Sequence, residues 1–349
     1  MKLCASDVER VLDAAEKNSI GIIGDMCLDR YIIGNMEGIS REAPIPIVRI
    51  ESDSYLPGGA GNTTLNARGL GMTVHPLGVI GEDLSSDIIF REFRARGISD
   101  ASMIREPGRH TIAYSKVYAS SFHGRIQQVA RFDREIAEPI TAQSEARVLE
   151  NLSALLPNID VLIVADYAQP EGSGTITSKV LAEIENAARS GRMLIIGDSR
   201  SRVAAMAHYS AVVPNDTEVA MALYPDDFQR RPYQDDVRAA EYAAALRTRI
   251  EAGHVIMTRG EKGAIIASEG GVADVATTPI AGEIDVTGAG DCFAATLAAA
   301  MAARLDMTAA VELANLAAGI TVKKLNTTGI ATPDEIRQSY ADQHRRKRS

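Results

Sequence analysis

Asp285-Val286-Thr287-Gly288-Ala289-Gly290-Asp291-Cys292-Phe293 sets two carboxylates around three small residues, and an apolar, alanine-rich segment follows as far as Leu305. That segment consists of good helix formers. Glycine lets the backbone turn tightly and approach a ligand closely. A glycine turn that opens a helix leaves N–H groups unpaired at the positive end of the helix dipole, which is an anion site. Asp291 falls in the first turn, beside the place such an anion would take. There a carboxylate can remove a proton from a hydroxyl while the amides stabilise negative charge on a transferred group. Taken alone, the stretch fits equally well an ordinary glycine turn with an acid placed to suit the dipole.

Working outward, the preceding half of the chain alternates strands and helices. Strands are expected at 161–165, 193–197, 211–213 and 254–258, with helices at 142–156, 174–190 and 235–251. The four strands run into Asp166-Tyr167, Asp198, Pro214-Asn215-Asp216-Thr217-Glu218 and Arg259-Gly260-Glu261-Lys262-Gly263. Parallel strands with right-handed crossovers bring such ends to one edge of the sheet. Scattered loops thereby become one candidate site. A β pair at 263–267 and 272–276 precedes the opening motif, and helices at 289–303, 308–323 and 333–343 follow it.

The N-terminal part carries a second pattern. A helix over 6–17 opens with Ser6 and Glu9 as a capping box, and a strand over 20–24 ends at Asp25 with Asp29 four residues on. Ligands bind at such strand ends in open α/β sheets. Residues 31–55 and 111–132 read as strand pairs without helices, the second turning at His123-Gly124, and suggest a small β lid inserted in the main domain. Between them Pro57-Gly58-Gly59-Ala60-Gly61-Asn62 opens a helix over 63–70, followed by a strand over 74–80 and a helix over 85–96. The expected fold is a doubly wound, mostly parallel α/β sheet flanked by helices, one domain over 1–349 with its lid.

Composition bounds the rest. A net charge of −9 argues against a nucleic-acid binder, and no apolar run reaches the ~18 residues a membrane span needs. Three cysteines, Cys4, Cys27 and Cys292, make neither a disulfide framework nor a zinc site. Cys292 reads as a small core residue rather than a nucleophile. With a charged N-terminus in place of a signal peptide, the expectation is a cytoplasmic protein. The basic tail from His344 to Arg348 reads as a solvated terminus. An anion site, a carboxylate and polar strand ends suit phosphoryl transfer from a nucleotide to an alcohol. Neither a Walker A sequence nor a dinucleotide-binding glycine fingerprint is present.

Together, Gly58-Gly59-Ala60-Gly61-Asn62, Asn215-x-x-Glu218, Thr258-Arg259-Gly260-x-x-Gly263 and Asp285-x-x-Gly288-Ala289-Gly290-Asp291 resemble the signatures of ribokinase-like (phosphofructokinase B-type) sugar kinases, over about residues 18–340. The first 65 residues are most similar to the kinases of D-glycero-β-D-manno-heptose 7-phosphate in the ADP-heptose pathway. They carry Gly24-Asp25-x-x-Leu28-Asp29-Arg30-Tyr31 and Ile39-Ser40-x-Glu42-Ala43-Pro44-Ile45-Pro46-Ile47-Val48. Gln127-Gln128, Asp166-Tyr167-Ala168 and Ala314-Asn315-Leu316-Ala317-Ala318-Gly319 support that likeness. It covers the kinase domain alone, without the nucleotidyltransferase domain some members carry.

The resemblance implies an ATP- and Mg²⁺-dependent kinase, with Asp291 as general base and Gly288, Ala289 and Gly290 as anion hole. Asn215 and Glu218 would organise Mg²⁺ and the nucleotide phosphates, Glu218 through water. Thr258, Gly260, Gly263 and Asn315 would line the nucleotide. Asp25, Asp29, Gly58, Gly59, Asn62, Asp166 and Arg200 would face the sugar, and Asp285 and Thr287 would contact a monovalent cation such as K⁺. The acceptor implied is O1 of a heptose 7-phosphate. Alternatives are another sugar or sugar phosphate, a nucleoside-type alcohol, and a non-catalytic sugar-binding regulator.

Departures fall at the phosphate end. Where the heptose kinases have Lys-Gly, Arg and Pro about the lid, and Asp-Pro-Lys, this chain has Gln169-Pro170, Gly38 and Arg41, and Asp198-Ser199-Arg200. Arg41, Arg200 and Arg202 are the cations left to pair with a substrate phosphate. The lid's apolar residues Ile32, Ile45, Ile47 and Val117 would lie open in a monomer, so a homodimer through the lid is expected.

Overall fold

The run Val161–Asp166 is buried along its whole length, as expected of a parallel strand covered on both faces. The computed structural model describes residues 2–120, 124, 126–168, 170, 172–225 and 236–346. Among these, a sheet of eight strands has the spatial order Gly271–Val275, Ala264–Ser268, His254–Thr258, Ala211–Val212, Leu194–Ser199, Val161–Asp166, Ser19–Gly24 and Thr73–Leu77. The strands are parallel except for the antiparallel pairings that add Ala264–Ser268 and Gly271–Val275. The connections change direction between Ser19–Gly24 and Val161–Asp166, and such a switch point is where open α/β sheets form a ligand crevice.

Helices cover both faces. Ala5–Ala15, Ala60–Gly69, Ala289–Ala302, Met307–Thr321 and Pro333–Arg346 pack as one layer, while Ala142–Leu155, Ser178–Arg189, Asp216–Leu223 and Asp236–Ile250 lie on the other side. The alanines from Ala294 to Ala300 are buried, which lets the helix after the opening motif sit against both the sheet and its neighbour Met307–Thr321.

A second sheet of four strands has the order Pro46–Gly59, Met26–Ile39, Ile112–Ser120 and Ile126–Arg134. Its outer pairings are antiparallel and its central pairing parallel. The first two strands are longer than the reading of 31–55: one begins at Met26, immediately after the main sheet, and the other runs on to Gly59 at the start of a helix. Asp25 and Asp29 therefore stand at the root of this sheet. His123, of the expected turn, lies outside the described residues, as do Gln169, Lys347 and Arg348.

Two local readings are corrected. The strand expected over 74–80 is two, Thr73–Leu77 and Val79–Gly81, the second pairing with Ile104–Glu106 in a separate two-stranded sheet. They divide at Gly78, where a Cβ would lie 2.6 Å from the Gly24 carbonyl oxygen. The N-terminal helix starts earlier than expected, capped by Cys4 with Asp7 rather than by Ser6 with Glu9. Spacing alone does not separate these two registers, because acids stand at both positions.

Candidate active site

Adjacent side chains on a strand point to opposite faces, so the second sheet presents alternate residues to the switch point. Cys27 and Asp29 on one strand, and Tyr114, Lys116 and Tyr118 on its parallel neighbour, line a cleft of about 570 Å³. The register sets Asp29 opposite Tyr114 and Tyr31 opposite Lys116. The other wall consists of main-sheet strand ends: Tyr167, Asp198, Arg200, Asn215, Glu218 and Thr258. Asp285, Thr287, Gly288, Gly290 and Asp291 form the floor.

Gly288 takes φ 77° at the N-cap of Ala289–Ala302, a left-handed conformation that favours glycine. A Cβ there would also lie 2.3 Å from Nδ2 of Asn62. The N–H groups of Gly290 and Asp291, in the first turn, have no partner within the helix. Asp291 is held by three polar side chains. Asn62 Nδ2 donates to Oδ2 at 2.8 Å, while the Thr63 and Tyr167 hydroxyls stand 3.0 and 3.2 Å from Oδ1. Burial, reinforced by the charge of Asp198, pushes the Asp291 carboxyl up to about 7 against those hydrogen bonds. A carboxylate poised near neutrality beside free amides can take a proton while a neighbouring anion is stabilised.

Further acids face the same space. Burial and the neighbouring Glu218 raise Asp198, and burial raises Glu218. Glu218 closes a capping box: its Oε2 accepts from the Asn215 N–H at 2.8 Å, and Asn215 Oδ1 accepts from the Glu218 N–H at 2.9 Å. The side-chain oxygens of Asn215 and Glu218 are of the type that suits a hard divalent ion such as Mg²⁺, with Arg200 as a cation beside them. Beyond the floor a second cavity of about 240 Å³ is lined by Thr258, Gly260, Gly263, Ala289, Gly290 and Asn315, with Pro279, Ile280 and Phe293 giving it an apolar side.

Cations line the same cleft. Lys116 Nζ lies 3.2 Å from Asp29 Oδ1 and 3.2 Å from the Tyr31 hydroxyl, and Thr287 Oγ1 is 3.5 Å away. Arg131 stacks on Tyr114 at 5.0 Å, and Arg200 on Tyr167 at 5.5 Å. Sequence reasoning named Arg200 and missed Lys116 and Arg131. The signal available was strand alternation within 111–132, which places 114, 116 and 118 on one face.

Several expected sugar contacts are directed elsewhere. The Asp25 carboxylate accepts the backbone N–H groups of Tyr167, Ala168 and Thr175 at 2.7–2.9 Å. Asp166 is taken up by Arg202, with Nε at 3.0 Å, and by the Ser199 hydroxyl at 2.7 Å. Both carboxylates are buried and outside the cleft, so they organise loops, and Arg202 is likewise committed. Asn62 serves Asp291. Gly58 leaves room for Asp29, since a Cβ there would lie 2.2 Å from Asp29 Oδ2, while Gly59 lines the cleft. Arg41 is exposed between the strands of the second sheet and does not line the cleft. The Asp285 carboxylate accepts the N–H groups of Thr287 and Asn326, which ties down the loop before the helix. Cys292 is buried, and its thiol is pushed up to about 12 by burial, so it is not a thiolate.

A family model described as pfkB family carbohydrate kinase matches residues 17–334. The bifunctional protein HldE of Trichlorobacter lovleyi is 32% identical over 341 residues, 97% of this chain and 66% of that protein. The HldE of Pseudomonas paraeruginosa is 35% identical, over 92% of this chain and 64% of that protein. The chain thus spans just under two thirds of the length of these relatives. In fold it is similar to Escherichia coli phosphofructokinase-2 in complex with potassium, with a TM-score of 0.70, 15% identity, and 93% and 98% of the two chains covered. Arabidopsis thaliana ribokinase complexed with ribose and ATP gives a TM-score of 0.68 at 15% identity, covering 92% of this chain and 98% of that one.

Proposed function

The chain belongs to the pfkB family of carbohydrate kinases, and we propose that it transfers the γ-phosphoryl group of ATP to O1 of a heptose 7-phosphate. The observation that carries this reading is the polarity of the cleft. Asp291 and the open amides of Gly290 and Asp291 lie at its floor, and Lys116, Arg131 and Arg200 stand on the walls above them. A substrate phosphate calls for such cations, since charge-assisted pairs are the strong ones. The likeness of the first 65 residues to the heptose kinases supports the choice of sugar.

In the proposed reaction Asp291 takes the proton of the attacking hydroxyl. An anomeric hydroxyl is more acidic than a primary alcohol, which eases the task of a base near neutrality. The amides of Gly290 and Asp291 receive the charge that develops on the phosphoryl oxygens. Thr258, Gly260, Gly263 and Asn315 line the nucleotide. Asn215 and Glu218 would hold Mg²⁺ on its phosphates through water, which supplies charge neutralisation of the triphosphate when bound. The main-chain oxygens of Asp285 and Thr287 are the groups that would meet K⁺. Asp29, paired to Lys116, orients sugar hydroxyls, with the second sheet serving as lid.

The lid also suggests assembly. Ile39, Ile45, Ile47, Ile50 and Phe132 are all 45–63% exposed, whereas Ile32 of the expected patch is buried. Apolar surface of this kind suits a second copy, and a dimer mass by light scattering at micromolar concentration is the expected result. The reaction itself is tested by ADP release over a panel of free sugars, sugar phosphates and nucleosides. Turnover highest with the heptose 7-phosphate supports the proposal, and a preference for a free sugar over its phosphate overturns it.

A further inference from the structure

Asp198 has no part in the reaction as described, although it lines the cleft. It is the penultimate residue of the strand Leu194–Ser199 and accepts a hydrogen bond from the Tyr167 hydroxyl at 2.6 Å. The same phenol oxygen stands 3.2 Å from Oδ1 of Asp291. A phenol has one proton to give and lone pairs with which to accept. It cannot donate to both carboxylates at once, so the trio is satisfied only when one carboxyl donates to the phenol oxygen and the phenol donates to the other.

Tyr167 is built into this position. Its backbone N–H is fixed on Oδ2 of Asp25 at 2.9 Å, and the Arg200 guanidinium lies 5.5 Å from its ring centre. Gly59 gives the ring room, since a Cβ there would come within 3.1 Å of Cδ2. Asn62 and Thr63 hold Asp291 from the other side. The charged groups acting on Asp198 are Glu218, Arg200 and Asp166.

We propose that Tyr167 is a proton relay, carrying the proton removed from the sugar hydroxyl from Asp291 to Asp198. The inference rests on Asp291 acting as the base. As the sugar oxygen bonds to phosphorus, its proton reaches Oδ1 of Asp291. That proton passes to the phenol oxygen while the phenol's own proton passes to Oδ2 of Asp198. Tyr167 is neutral before and after, Asp291 is again ionised, and Asp198 carries the proton until the cleft opens to water. Burial raises the Tyr167 hydroxyl well above its usual range, so the two transfers are concerted rather than routed through a tyrosinate. The relay removes the proton from beside the new phosphate ester, where it would assist the reverse reaction.

The test compares Tyr167→Phe, which keeps the ring, with Asp198→Asn, which removes the terminal acceptor; nucleotide affinity reads folding in both. Each variant is expected to lose about tenfold or more in kcat, with KM for sugar and ATP within about twofold. In the wild type both acids must be ionised, so the acid limb of log kcat against pH is steeper than in either variant by about one unit of slope. Wild-type kcat and slope in Tyr167→Phe overturn the relay, as does an Asp198→Asn variant altered in KM alone. Asp291→Asn separates the two levels: wild-type turnover there sinks the base itself. An inactive Asp291→Asn beside an unchanged Tyr167→Phe sinks only the relay.

Discussion

Replacing Asp291 by Asn keeps the shape of the side chain and removes its charge, and the structure assigns that charge a cost in stability. The carboxyl titrates at about 7 in the fold against 3.8 as a free side chain. For an acid raised in this way, the unfolded chain ionises first. Wild-type stability is therefore greatest below the unfolded value and falls as pH rises, until the folded group ionises near 7. From pH 5 to pH 8.5 the loss covers about two pH units at about 1.4 kcal/mol each, or roughly 3 kcal/mol. Asn cannot ionise and is spared it. The variant does suffer one mismatch, because its amide NH₂ meets the donating Nδ2 of Asn62 or the hydroxyls of Thr63 and Tyr167. That costs about 1–3 kcal/mol, but equally at both pH values. The assay is urea unfolding of both proteins, free of nucleotide and metal, at pH 5 and pH 8.5. The stability of the variant relative to wild type is expected to improve by roughly 3 kcal/mol between them, while kcat falls by about 10²–10⁴. A stability difference independent of pH refutes the buried, strained carboxylate, and near-wild-type turnover refutes its role as base.

Other expectations concern the ends of the cleft. Arg200→Ala should raise KM for a phosphorylated sugar about tenfold or more, since a charge-assisted contact is worth roughly 1.5–3 kcal/mol, and barely alter KM for an unphosphorylated one. Arg41→Ala should change neither, and an Arg41 effect equal to that of Arg200 would contradict the cleft as described. Glu218→Gln should raise the Mg²⁺ concentration needed for half-maximal rate; an unchanged requirement removes Glu218 from the metal's surroundings. The acid limb of kcat should lie near pH 7, with activity rising as Asp291 loses its proton, and a limb near pH 4 would show that the base is not raised.

Much of this molecule is legible in the chain because the information is local. Alternating apolar strands and helices, with polar residues at successive strand ends, specify a parallel sheet with one functional edge, and Gly288-Ala289-Gly290-Asp291 specifies the turn that opens a helix there. The glycine turn and the acid beside it follow from a few consecutive residues. What tertiary structure alone decided is which of many acids and cations meet. Asp25 and Asp166 look like ligands as strand-end carboxylates, yet three backbone amides take one and Arg202 takes the other. Lys116 and Arg131 look like surface charges of a hairpin, yet the parallel register of Met26–Ile39 with Ile112–Ser120 turns Lys116 toward the cleft, and the antiparallel pairing of Ile126–Arg134 sets Arg131 opposite it. Tyr167 and Asp291, 124 positions apart, are joined by one hydroxyl. Sequence spacing fixes the direction of a side chain within its own strand or helix. Its partner is chosen by the register between strands distant in the chain, and that register is set by the packing of the whole sheet.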